Sequence, residues 1–279
     1  MTSELNSQVE ATLAEPLRQR QTTRQPLLLA SWTIGVYSFL YLPIVVLILL
    51  SFNNSKILSL PIKGLTLNWY STAFADTSLR EALINSLQVA AVATLLATLM
   101  GLLAAFAIYR YQFFGKNAFR IAITLPILLP GVVTGVAMLA YFSNLGLELS
   151  LITVILGHLV FGLPVAMGPI LTRLTQFPRM LEEAAYDLGA RPKQVFLDII
   201  FPYIRSAVIS GALLAFTLSF DEVIVTIFLT GRENTLPMEI WARLRTDITP
   251  EIAAAATLVL LASMALVLLN QAVTSREIP

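Results

Sequence analysis

Six long apolar blocks run along this chain, separated by short polar joints and one long charged insert. The blocks lie at residues 27–52, 82–109, 121–142, 151–171, 206–230 and 252–271. Each approaches the roughly 20 residues that carry a helix across a bilayer. The exception to the short joints is the stretch near 174–202, about 30 residues long where most connections in helical proteins are far shorter. Inside it the pattern becomes amphipathic. Pro178 suits the first position of a helix, and Met180, Leu181, Ala184, Ala185 and Leu188 then fall on one stripe. Glu182, Glu183 and Asp187 project elsewhere. Gly189 suits a helix-ending turn with positive φ. Pro192 starts a second short helix with Val195, Phe196, Ile199 and Ile200 as its stripe, and Pro202 marks a bend into the fifth block. A polar helical insert of this size predicts a docking surface rather than a linker.

Composition places the blocks in lipid. Hydrophobic residues make up 57% of 279 residues and the mean hydropathy is +0.77, more than a soluble core needs. The absence of cysteine excludes disulfides, thiolate metal sites and cysteine nucleophiles. Arg18, Arg20 and Arg24 before the first block imitate a secretory signal, but that block is far longer than a cleavable core and has no convincing small-residue cleavage site. It reads as the first membrane helix. The polar tail before it, residues 1–25, is expected to be disordered.

Lys and Arg set the orientation. With the N-terminus inside, 12 of the 18 Lys and Arg fall on the cytoplasmic side and six, including Lys56, Lys63, Arg243 and Arg245, outside. Both termini are therefore expected in the cytoplasm, and so is the charged insert. Glycine and proline concentrate in the third and fourth blocks. Pro126, Pro130 and the Gly131-Val-Val-Thr-Gly135 spacing predict a bent helix open to close packing. Gly157, Gly162, Pro164, Gly168 and Pro169 follow in the fourth.

Phe220-Asp221-Glu222 lies inside the fifth block, and no Lys, Arg or His occurs between Arg205 and Arg232 to neutralise its two acids. Carboxylates in a membrane are costly and face a partner or a wet cavity. Neighbours on a helix point about 100° apart, so one of Asp221 and Glu222 is expected to line a path while the other packs. An acidic path predicts a cationic substrate. Tyr141, Phe142, Phe220 and Trp241 are candidates for cation–π contacts; the competing role for such aromatics is interfacial anchoring.

Glu183-Ala-Ala, then Gly189, then Ile199-x-Phe201-Pro202 resembles the EAA loop of ABC importer permeases. Phe201 stands where the family's pattern carries Leu. Gly64-Leu-Thr-Leu-Asn-Trp-Tyr70, Leu125-Pro-Ile-Leu-Leu-Pro-Gly131 and Leu218-Ser-Phe-Asp-Glu222 make the chain similar to the smaller permease subunit of spermidine/putrescine transporters. These stretches recur with variation in opine, phosphonate, thiamine and iron importers. The resemblance implies an all-α, six-helix membrane protein with the type I ABC importer permease fold, in a bacterial inner membrane. Its core would cover 80–272, with 26–79 as an added helix and outer loop and 273–279 as a short cytoplasmic tail.

The resemblance also implies partners. A cytoplasmic ATPase dimer would bind ATP and Mg, a second permease chain would complete the path, and a binding protein would deliver substrate. Glu183, Ala184, Ala185, Gly189 and Pro202 would form the coupling surface for the ATPase. The chain has no phosphate-binding Gly-x-x-x-x-Gly-Lys-Ser/Thr loop, so the nucleotide site belongs elsewhere. No catalytic residue, metal, cofactor or nucleic acid is expected. Two rivals fit less well. An ion-coupled carrier would need no charged insert and often shows internal repeats. A hydrolase would need more than a lone His158, with no His-Glu-x-x-His or Gly-x-Ser-x-Gly present.

Overall fold

The computed structural model describes residues 24–55, 61–246 and 249–275. The polar N-terminal tail before Arg24 and the last residues of the C-terminal tail, which carry the expectations for 1–25 and 273–279, lie outside the described residues.

Described residues build helices throughout, apart from a single bridge between Asn53 and Leu65. The chain divides into two units, 1–49 and 50–279. The first contains nearly all of α1 (Arg24–Ser51), an apolar helix long enough to span a bilayer. In the second, α2 (Asn68–Ala75) leads into α3 (Thr77–Arg110), followed by α4 (Lys116–Leu128), α5 (Gly131–Asn144) and α6 (Leu151–Thr175). Next come α7 (Arg179–Asp187), α8 (Pro192–Asp221), α9 (Ile224–Leu229), α10 (Leu236–Leu244) and α11 (Pro250–Ser275).

Among the described residues, five helices are long and apolar enough to cross a membrane: α1, α3, α6, α8 and α11. The pair α4 and α5 makes a sixth span if counted as one, and is bent by 109° at its break. The bend has a local cause. Leu129 precedes Pro130 and is extended (φ −83°, ψ 144°), as the proline ring requires of its neighbour, and Pro130 brings no N–H to continue the helix.

The second unit is organised around α6, which packs along α3 and α8. Small residues permit this. A Cβ on Gly211 of α8 would stand 2.6 Å from the Ala166 carbonyl oxygen, and one on Gly101 of α3 would stand 3.0 Å from the Met167 nitrogen. The Gly131–Gly135 spacing likewise receives α9. Ile224 lies against Gly131, and Phe228 sits where a Gly135 side chain would be. Gly157 of α6 accepts Leu229 from the same short helix.

At the end opposite the charged insert, ion pairs clasp α2, α3 and α10. Asp76 caps α3 through Leu79 N (3.0 Å) and receives both Arg243 terminal nitrogens, at 2.8 and 3.2 Å. Arg243 Nε also donates to Glu239, which accepts from Ser78 and Asn234 as well. The Arg243 hydrogen bond holds the Asp76 carboxyl down at about 2. Burial pushes Glu239 up, but the bonds from Asn234, Arg243 and Ser78 outweigh it and leave the group lowered. A depressed carboxylate stabilises the fold fully above its ordinary value, near pH 4, and the contribution is lost as pH falls towards about 2. Asp76→Asn is therefore expected to lower the thermal midpoint at neutral pH, with the gap to the native protein closing below about pH 4. Thermal scans in detergent across that range check it; a gap independent of pH would contradict the assignment.

Candidate functional site

The charged insert folds as one short helix docked beside the start of a long one. Helix α7 is only nine residues long, too short to persist alone. It ends with Ala190 N bonded to Ala185 O and Gly189 N to Tyr186 O, a paired helix-ending turn in which Gly189 takes φ 82°. A side chain there would strain the backbone. The second short helix expected from Pro192 is not separate. It runs on as α8, through a π-helical turn at Val195–Ile200 and on past Pro202 as one helix. The widened turn has a reason: Phe201 N bonds to Phe196 O, five residues back, and this register shift accommodates a proline that has no N–H.

Burial sorts the α7 residues differently from the apolar stripe read in the sequence. Ala185 faces inward, packed with Phe177, Val195, Ile200 and Ile204. Glu182 is also buried, 6% exposed, and pairs at 2.7 Å with Arg110 at the end of α3. Met180 and Leu188 are 77% and 89% exposed, and Glu183, Ala184 and Asp187 lie outside with them. Pro202 is exposed on α8. Sequence reasoning missed the Arg110–Glu182 pair. The available signal was that Glu182 stands three residues before Ala185, on the same helix face.

The acidic segment is not mid-helix. Helix α8 stops at Asp221; Glu222 is extended (φ −74°, ψ 122°) before α9 begins. This replaces the expected unbroken span at 206–230. The two acids consequently have different partners. Glu222 Oε1 accepts from Val225 N at 2.9 Å, and its carbonyl accepts from Thr226 Oγ1. His158, fully buried, lies 2.7 Å from Ser219 Oγ and 3.0 Å from Thr226 Oγ1, one ring nitrogen on each side of the break. It thus ties α6 to the end of α8 and to α9, a hydrogen-bonding role rather than a chemical one.

Asp221 is exposed and accepts from Ser263 Oγ of α11 at 2.9 Å. It lines a cavity of about 410 Å³ with Trp241, Val223, Ile240 and Leu260, and among the described residues no cationic one shares the lining. The structure therefore brings Asp221 and Trp241 together. Arg245 lies 3.7 Å over the Trp241 ring, so that ring face is taken by the chain's own cation. Phe220 is buried, stacks on Phe216, and lines a separate apolar cavity of about 230 Å³. Tyr141 is exposed on α5 and lines neither cavity.

Comparison with known proteins agrees with this architecture. The family model for the "binding-protein-dependent transport system inner membrane component" matches residues 97–278. The chain is 39% identical over 243 residues to the spermidine/putrescine transport system permease protein PotC of Haemophilus influenzae, covering 87% of this chain and 94% of that one. It is 37% identical to the putrescine transport system permease protein PotI of Escherichia coli, with 84% and 88% covered. Among solved structures, a chain of a bacterial ABC transporter involved in import of the acidic polysaccharide alginate superposes with a TM-score of 0.65, at 16% identity over 95% of this chain and 100% of that one. A chain of an amino acid ABC transporter gives 0.59 at 15% identity, over 76% of this chain and 100% of that one. An all-helical bundle, a docked charged helix and these two levels of likeness lead to one assignment: the chain belongs to the binding-protein-dependent transport system inner membrane components, and is a multi-pass, non-catalytic permease subunit of an ABC importer.

Proposed function

We propose that this permease carries linear polyamines of the spermidine and putrescine class, with Asp221 as the carboxylate that meets their ammonium groups. The observation carrying the reading is the Asp221 cavity, which pairs an exposed acid with an aromatic and has no cation in its lining. The naming of PotC and PotI for these substrates supports it. Glu222 is assigned to the helix break, because its side chain caps α9. Phe220 supports the wall from behind, and Tyr141 is left as a residue of the α5 surface.

In this reading the outward face of α7, with Glu183 and Ala184 beside Met180 and Leu188, seats in a cytoplasmic ATPase dimer that binds ATP and Mg. Ala185 and Gly189 hold that helix in place, and Pro202 sits on the adjoining turn of α8. A second, different permease chain completes the path, and segments 53–80 and 231–250 meet a substrate-binding protein outside. ATP binding draws the coupling helices of the two permeases together and switches the path between inward- and outward-facing states.

Uptake of radiolabelled spermidine by the reconstituted transporter tests this. A charge-assisted hydrogen bond contributes about 1.5–3 kcal/mol, so Asp221→Asn is expected to cut uptake at low substrate by about tenfold or more. Glu222→Gln keeps an oxygen for Val225 N and is expected to transport within about twofold of native, a difference well under 1 kcal/mol. Normal spermidine uptake by Asp221→Asn would remove Asp221 from the path, whereas no spermidine uptake by the native transporter would remove the polyamine assignment while leaving the permease intact.

A further inference from the structure

A second cavity, of about 570 Å³, opens at the α7 end between α3, α4 and α6, and its charge is opposite to that of the Asp221 cavity. Lys116, Arg120 and Arg179 all line it, and no Asp or Glu does. Like charges gathered without a counter-charge destabilise a fold unless something neutralises them. The neighbouring acid, Glu182, is committed to Arg110 at 2.7 Å.

Two helix starts are represented in the same lining. Lys116 is the first residue of α4, entered through Gly115 at φ 81°, and Arg179 is the first residue of α7. Neither start has a side-chain cap, so both leave N–H groups and positive helix ends without a capping oxygen from their N-cap residue. A third observation is independent of charge. The Tyr109 hydroxyl, on another lining residue, is buried with no hydrogen-bond partner among the described residues, a state that costs stability unless a ligand or water fills it. Arg179 lies over that same ring at 5.7 Å. One of the Lys116 ammonium's three donors goes to Tyr111 O, leaving donors to spare.

We propose that this cavity binds a phosphate-bearing anion, with Lys116, Arg120 and Arg179 as its cationic partners and Tyr109 as a hydroxyl donor. Basic pockets between membrane helices at the cytoplasmic level suit the headgroup of an acidic phospholipid. A free phosphate offers the same oxygens. Because α7 starts at this cavity, occupancy would fix the position of the coupling helix.

The test uses the full chain in nanodiscs, native and Lys116→Gln/Arg120→Gln, with Arg205→Gln as a control for charge outside the cavity. Retained phosphatidylglycerol and phosphatidylcholine are quantified by mass spectrometry, and inorganic phosphate binding is measured with radiolabel in neutral lipid. Loss of two cations is expected to weaken the anion by on the order of thirtyfold, with phosphatidylcholine and the control unchanged. Tyr109→Phe should give a smaller loss on the same ligand. Selective loss of phosphatidylglycerol identifies a lipid; loss of inorganic phosphate alone identifies a soluble phosphate. If native and double variant retain phosphatidylglycerol equally and neither binds phosphate, the site is refuted.

Discussion

Arg110→Ala is expected to abolish ATP-driven uptake while leaving the membrane helices folded. Its partner Glu182 is 6% exposed, and no other cation is paired with it among the described residues. Breaking a buried ion pair by removing one member costs about 3–5 kcal/mol, because a charge is left stranded. Arg110 is itself 40% exposed, so the lower end of that range applies. The penalty falls on α7, a nine-residue helix held chiefly by Glu182 and Ala185, rather than on the bundle. That helix should therefore undock or fray. Hydrogen exchange over residues 179–187 would rise sharply with protection elsewhere unchanged, and uptake would fall to background. Replacing both partners with methionine should recover much of the activity, since an apolar pair of similar volume carries no stranded charge. Native uptake by Arg110→Ala alone would show that the pair does not hold α7 in a position that transport needs.

Gly211→Val is expected to prevent accumulation of folded protein altogether. The obstacle is backbone: the Cβ alone would meet the Ala166 oxygen at 2.6 Å and its Cα at 3.2 Å. Side chains can turn away, but two helix backbones cannot without separating. Overpacking typically costs 1–3 kcal/mol where side chains can yield, and this contact exceeds that case. Helix α6 is also held closely by α3 at Gly101, so it has little room to retreat. Fluorescence-detected size exclusion of the solubilised protein would read the loss. Gly168→Ala, where a Cβ meets nothing within 4 Å, is the matched control and should accumulate normally.

The spans were legible because lipid imposes a length and a composition on any helix that crosses it. The α4–α5 break was legible as a bend from Pro126 and Pro130, but its angle of 109° was not, since prolines remove bonds without fixing the direction taken afterwards. The break after Asp221 left only one local mark, the Glu222 side chain that caps α9. Val223, Ile224 and Val225 continue the apolar run, and neither Gly nor Pro intervenes. Across it lies His158, 61 residues before Ser219, and such long-range partners are invisible to periodicity. Glu182 was passed over for Glu183 for a similar reason. Adjacent glutamates look alike in sequence, and only packing against Arg110 separates the inward one from the outward one. The EAA-type resemblance located the loop; the division of α7 into a held face and a free face came from burial.

Helix α8 also has a mechanical consequence. It begins beside α7 and ends at Asp221, unbroken over 30 residues, or about 45 Å at 1.5 Å per residue. Its backbone-close contact, Gly211 on Ala166, lies about two-thirds of the way along. A stiff rod pinned there is a lever with arms of about 29 Å and 15 Å. A sideways push of about 2 Å at the Pro192 end would swing the Asp221 end by about 1 Å in the opposite direction. The gearing halves displacement and doubles force between the Pro192 end and the Asp221 end.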